Sequence, residues 1–207
     1  MSIANYSDLQ TATASWLHRS DLTSIIPDFI TLAENRIHYG SENQNLPSPP
    51  LRIRAMHNRS TGTISSATIA IPTGYLETIR LVATINGLNR TLVYLPPMVI
   101  APFETDSGDP SYYTLINNDI HTAPNGSASY THDYYKKLDA LSAGVNWLIT
   151  NAPHVYLFAT LLESASYILN DGRIAVWHSQ YLAAISGLSG SDARQAMPSG
   201  GLAVSVA

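Results

Sequence analysis

The stretch Gly108-Asp109-Pro110-Ser111-Tyr112-Tyr113-Thr114-Leu115-Ile116-Asn117-Asn118-Asp119-Ile120-His121 places two carboxylates, an imidazole and several hydroxyls close together. Carboxylate and imidazole groups in one short segment could ligate a metal or exchange protons. Asp119 and His121 are two positions apart, so on a strand they share a face. A weak metal site is one reading of that pair, and a polar strand face beside a turn is the plainer one. The seven histidines include no H-x-x-x-H pair on a predicted helix and no H-E-x-x-H. His132 and Asp133 are consecutive on a predicted strand and point to opposite faces, so they form no local dyad. Gly187-Leu188-Ser189-Gly190 lacks the preceding strand that a nucleophile elbow needs. Phosphate-binding and dinucleotide fingerprints are absent, and so is cysteine, which excludes disulfides and thiolate metal sites. An enzyme would have to assemble its site from dispersed groups such as Asp119, His121 and His132. No residue pattern favours that, so no catalytic residue, metal or cofactor is expected.

Binding chemistry is better represented. The twelve tyrosines each offer a flat apolar face with a polar tip, suited to sugars or protein interfaces, although tyrosine also simply populates strands. Tyr134-Tyr135-Lys136-Lys137 joins two aromatics to the only lysines of the chain. The segment is a candidate subunit contact, or a contact with passing nucleic acid through phosphate pairing and base stacking. Asn58-Arg59-Ser60, Asn89-Arg90-Thr91 and Asn125-Gly126-Ser127 match the glycosylation sequon. With no signal peptide expected, they read as chance matches.

Charged residues make up 13% of the chain, about half the usual share. A surface so poor in charge suggests cover by neighbouring molecules. The net charge is −4, which argues against the whole chain being a polyanion binder. Arg52, Arg54, Arg59, Arg80 and Arg90 fall in one stretch with a single acid, Glu77; Glu104, Asp106, Asp109, Asp119 and Asp133 follow. These opposite runs either meet between subunits or mix on one folded surface. The longest strongly apolar run, Val155 to Leu162, is too short to span a membrane. A soluble protein, or one built into a soluble particle, is therefore expected.

The elements that must position these groups follow from periodicity and punctuation. Ser7-Asp8-Leu9-Gln10 fits a capping box, followed by Leu9, Trp16 and Leu17 at helical spacing. Pro27 suits the first turn of a second helix with Ile26, Phe29, Ile30, Ala33 and Ile37 on one face, ended by Gly40. Strands are predicted over 63–71, 75–85, 88–95, 111–116, 119–123 and 128–135, separated by turn formers such as Asn86-Gly87 and Asn117-Asn118. Asn151 is the predicted cap of a nearly all-apolar helix, with Pro153 in its first turn. After the Asp171-Gly172 break, Ile174, Trp177, Tyr181, Ile185 and Leu188 stripe a last helix. The fold class expected is α+β, a helical bundle from N- and C-terminal helices with an inserted antiparallel β domain (a small sandwich or curled sheet). Its parts are N-terminal helices 1–40, linker 41–50, inserted β domain 51–136, C-terminal helices 137–189 and an extended C-terminal tail 190–207.

An ordered set of residues gives this layout a family likeness. Gly108-x-Pro110-x-Tyr112, the turn at Asn117-Asn118, Pro124, Tyr134-Tyr135-x-x-Leu138, Trp147-Leu148, Pro153-x-x-Tyr156-Leu157-Phe158, Glu163, Tyr167, Asp171-Gly172-Arg173, Trp177 and Tyr181 resemble the phage head-to-tail adaptor (connector) proteins. So do Tyr6-Ser7-Asp8-Leu9, Trp16 to Leu22 and Ile26 to Ile37, while residues 41–107 match least. The resemblance implies a structural virion protein at the head–tail interface, made in the host cytoplasm. It implies a ring, usually of twelve copies, beneath the portal protein, extending the DNA channel and meeting a downstream tail or nozzle protein. Genomic DNA would pass without sequence-specific binding, and no membrane is involved. By the same analogy the tail docks on the portal, with Arg194, Met197, Leu202, Val204 and Val206 as its contacts. The alternative is a tyrosine-rich β module of a tail fibre that binds carbohydrate, against which the buried helices at both ends argue.

Overall fold

The computed structural model describes residues 3–168 and 172–196. In chain order the elements are α1 Tyr6–Leu17, α2 Ile26–Tyr39, β1 His57–Thr63, β2 Thr68–Ala70, β3 Tyr75–Ile85, β4 Leu88–Thr91, β5 Val93–Tyr94, α3 Pro97–Ile100, β6 Tyr112–Ile116, β7 Asp119–Ala123, β8 Ser129–Lys136, α4 Trp147–Asn151, α5 Pro153–Ser164 and α6 Ile174–Ala196. They divide into a helical unit, residues 1–55 with 138–207, and a β unit, residues 56–137. The fold is α+β, with contacting N- and C-terminal helices and two inserted four-stranded sheets.

In the helical unit α5 is the central element and packs against α1, α2, α4 and α6. Val155, Tyr156, Leu157, Ala159, Leu161 and Leu162 are all buried, so nearly its whole circumference is apolar and covered. The partners are Leu9 and Ala12 of α1, Ile26, Ile30, Ala33 and Ile37 of α2, and Trp177, Tyr181 and Ile185 of α6. Each leucine or isoleucine among them contributes on the order of 1.5–3 kcal/mol by leaving water. Arg36 of α2 and Glu163 of α5 form an ion pair inside this packing, and Arg36 also donates to the Leu46 carbonyl.

Two caps differ from the sequence expectation. Asn5, not Ser7, caps α1: its Oδ1 accepts from the Asp8 amide while Asp8 Oδ2 accepts from the Ala4 amide. The cap lies two residues earlier than expected, and Asp8 reaches back to the amide of the residue before the cap instead of that of the cap itself. Asn151 ends α4 and donates to the Trp147 carbonyl; α5 starts with no side-chain cap. The capping asparagine is Asn146, which accepts from the Ile149 amide at the start of α4.

In the β unit one sheet has the order β1-β8-β3-β4, antiparallel throughout, and the other has β2-β7-β6-β5. Here β5 and β6 run parallel, a departure from the wholly antiparallel domain expected. The predicted strand 63–71 is also redrawn. Its first part is the C-terminal end of β1, which begins at His57, and β2 keeps only Thr68–Ala70. The positive φ of Ser66 and Ala67 breaks the extension between them. The predicted strand 88–95 is two strands in different sheets. Ile64, Ile69, Leu81, Ala83, Ile85, Leu92, Ile120 and Ala128 form the core of the unit, with Tyr113, Leu115 and Tyr130 packed against it. The β6–β7 hairpin turns at Asn117, whose φ is +54°, with Leu115 opposite Ile120. Residues 41–50 carry an antiparallel bridge between Ser41 and Ser48.

Candidate functional site

The exposed face of the first sheet is built by β1 and β3 flanking β8. Strand register aligns His57, Tyr135 and Glu77 in one row and Arg59, Asp133 and Arg80 in the next. Arg59 donates Nε and Nη2 to the two Asp133 oxygens at 2.5 and 3.1 Å, and Arg80 donates Nε and Nη2 to Oδ2 at 3.2 and 2.8 Å. Hydrogen bonds from Arg59, then from Arg80, hold the Asp133 carboxyl down at about 2 against the opposing effect of its own burial. His57, Asn58, Arg59, Ile79 and Asp133 line an open hollow of about 530 Å³. The β3–β8 register shifts around Ile79, between Thr78 and Arg80. The opposite charge runs noted in the sequence therefore pair within one chain: Arg59 and Arg80 with Asp133, and Arg90 with Asp109 at 3.6 Å. Sequence reasoning missed this grouping, because nothing local links residues 59, 80 and 133.

The other face of β8 turns inward. His132 is fully buried, stacked on Tyr134 at 5.0 Å between ring centroids, with Tyr75 at 5.9 Å. Its Nε2 lies 3.0 Å from Thr78 Oγ1, which is 2.9 Å from the Tyr75 hydroxyl. Burial pushes the His132 imidazole below its usual range, only partly opposed by Asp133. Among the described residues its Nδ1 has no hydrogen-bond partner, and neither has the Ser60 hydroxyl opposite it on β1.

The remaining sequence candidates are distributed as follows. Asp119 and His121 lie on β7, where Ile120 between them belongs to the core and both neighbours face away from it. His132 faces the core from β8, so these three groups do not converge. Among the described residues no three histidines or carboxylates are clustered to hold a metal. No described helix is long and apolar enough to cross a membrane. Tyr134 is 5% exposed and belongs to the interior. Tyr135, Lys136 and Lys137 are half-buried, Tyr135 lying edge-on to His57 at 4.8 Å. The expected tail begins at 190, but α6 continues to Ala196 and carries Arg194 in its last turn. The reason is visible across the helix: Asp192 accepts from the Arg54 amide and Nε, and Gln195 Oε1 accepts from Arg54 Nη2. Met197, Leu202, Val204 and Val206 lie outside the described residues.

Exposed apolar groups mark two further surfaces. In the β unit Val93, Tyr94, Met98 and Val99 follow one another through β5 and α3, and Met98 is 89% exposed. In the helical unit Trp16 meets Phe158 edge-on at 5.8 Å, and the Arg173 guanidinium lies 4.9 Å from the Trp177 ring. Such surfaces suit contact with other proteins and supply no reactive group.

Residues 4–204 match the family model described as SU10 adaptor protein. A search of curated proteins returned no match for the chain.

Proposed function

The chain belongs to the SU10 adaptor protein family, phage adaptors that are structural proteins and not enzymes, and from that premise we propose that it is the ring-forming joint between head and tail of the virion. Copies of the chain, twelve in the closed ring, sit beneath the portal protein and extend the DNA channel towards a downstream tail or nozzle protein. The observation that carries this reading is the family match over almost the whole length. A helical unit carrying a β insert, a charge-poor sequence and exposed apolar groups in both units support it. Genomic DNA passes through without sequence-specific contact, and Tyr135, Lys136 and Lys137 are the nearest candidates for a channel or subunit contact.

The portal contact is assigned to the end of α6 with Arg194 and the segment beyond it, including Met197, Leu202, Val204 and Val206. Mass photometry of the chain mixed with its portal tests the reading: a ring-sized increment on the portal is expected, and its absence overturns the adaptor assignment. Removing residues 197–207 spares the Arg54 contacts of Asp192 and Gln195. That truncation should abolish docking with an unchanged circular dichroism spectrum. Undiminished docking would refute the role given to the segment.

A further inference from the structure

Among the described residues the sheet β1-β8-β3-β4 ends in two open edges. An edge strand presents unpaired backbone donors and acceptors, and proteins usually blunt it with proline, lysine, a bulge or brevity. The second sheet follows that habit, since β2 has three residues and β5 has two, just before Pro96-Pro97. The first does not. Its β1 pairs with β8 over seven successive positions without a register shift, and six of its seven residues are exposed. All four residues of β4 are exposed. Neither strand contains proline or lysine. The one charge on β1 is Arg59, and it is engaged by Asp133.

The hydrogen-bond phase of the two edges agrees. The Ile64 amide donates to the Ala128 carbonyl, so by alternation Ser60 and Gly62 bond inward to β8, and His57, Arg59, Thr61 and Thr63 turn their amides and carbonyls outward. Of these the Arg59 amide donates to Asn58 Oδ1 at 2.8 Å, and an incoming strand would have to displace that contact. The Leu92 amide donates to the Leu81 carbonyl. Arg90 and Leu88 therefore bond inward to β3, and Asn89 and Thr91 face outward. Register aligns Thr63 with Ser129, Thr84 and Asn89, placing the outward-facing residues of both edges on one face of the sheet. Direction agrees as well. With four strands in strict antiparallel alternation, β1 and β4 run oppositely, so repeating the unit head to tail sets β4 antiparallel to the next β1. No inversion or one-residue slip is needed.

We propose that the occupant of the β1 edge is β4 of a second copy of this chain, so that the sheet continues from subunit to subunit. The bonds supplied are about four per junction, from Asn89 and Thr91 to the Arg59–Thr63 segment. This contact is heterologous, the kind that propagates and closes into a ring. It deepens the ring reading given above and rests on it.

The chain has no cysteine, which makes the geometry directly testable. Residues opposed in a hydrogen-bonded antiparallel pair have Cα atoms roughly 5.5 Å apart, within disulfide reach. Two full-length double variants, Thr61→Cys with Thr91→Cys and Thr61→Cys with Asn89→Cys, cover the two central registers. Each is mixed with portal, oxidised, and run on denaturing gels without reductant, with ring formation followed in parallel by mass photometry. One of the two should give a ladder extending beyond dimer, collapsed by reductant, while Thr61→Cys alone gives none. Rings of normal mass with no ladder from either variant would overturn the edge pairing and leave the ring standing. Dimers from Thr61→Cys alone would replace it with a symmetric β1–β1 contact. Absence of both rings and ladder would remove both.

Discussion

Asp133 and His132 are adjacent on β8, and they respond to acid in separable ways. Asp133 is depressed to about 2 by two arginines, so it stabilises the fold above its unfolded value of 3.8. That contribution is lost as pH falls from about 4 towards 2. Both guanidiniums are at least half exposed, so solvent screening limits the effect to about 1 kcal/mol. His132 has a folded-state value below its ordinary 6.5. The unfolded chain takes up the proton first, and stability declines as pH drops below about 6.5. Urea unfolding across pH 7.5 to 3, followed by tyrosine fluorescence, should show a decline beginning near 6.5. His132→Phe should remove that first step, and Asp133→Asn should reduce stability at neutral pH while flattening the profile below about 4. A pH 5–7 slope unchanged in His132→Phe would exclude His132 as its source.

Between elements, the backbone at Gly40 is the most constrained junction. It ends α2 with φ +76° and ψ −168°, a combination that essentially only glycine adopts. A Cβ there would lie 2.6 Å from the Ser48 carbonyl oxygen and 2.9 Å from Pro50 N. Gly40→Ala should therefore cost at least about 2 kcal/mol, measurable as a lowered melting temperature. An unchanged Tm would mean that the 41–50 segment shifts freely. Gly40 was legible as a terminator because glycine after an apolar stripe is a local signal. The strands 75–85 and 119–123 were legible for the same reason, being rich in branched and aromatic residues and bounded by Pro-Thr-Gly, Asn-Gly and Asn-Asn turns. By contrast β1, His-Asn-Arg-Ser-Thr-Gly-Thr, was not legible beyond Thr63. Its side chains are polar on both faces, and pairing with β8, distant in sequence, makes it a strand. The Arg59–Asp133–Arg80 row and the His132 pocket escaped notice for that reason too, since each depends on which strands become neighbours.

For the whole molecule, the β unit enters and leaves through paired strands. His57 and Tyr135 are register partners at the open end of the β1–β8 pair, so the insert begins and ends within roughly 5 Å. Closing the helical unit without the insert thus spans a short gap and costs little chain entropy. The flanking segments stay anchored inside that unit: Arg54 by Asp192, and Leu138 by His38 Nε2, which accepts from its amide at 3.2 Å. Replacing residues 57–136 by a short Gly-Ser linker should leave a soluble, cooperatively melting helical protein with no strand signal in circular dichroism. If that protein is unfolded, the helical unit needs the β unit for its stability. If it folds but no longer assembles on the portal, while the full chain does, subunit contacts are located in the β unit. Ring formation by the helical unit alone would instead move them to the exposed positions of its own helices, such as Leu32 and Tyr39 on α2.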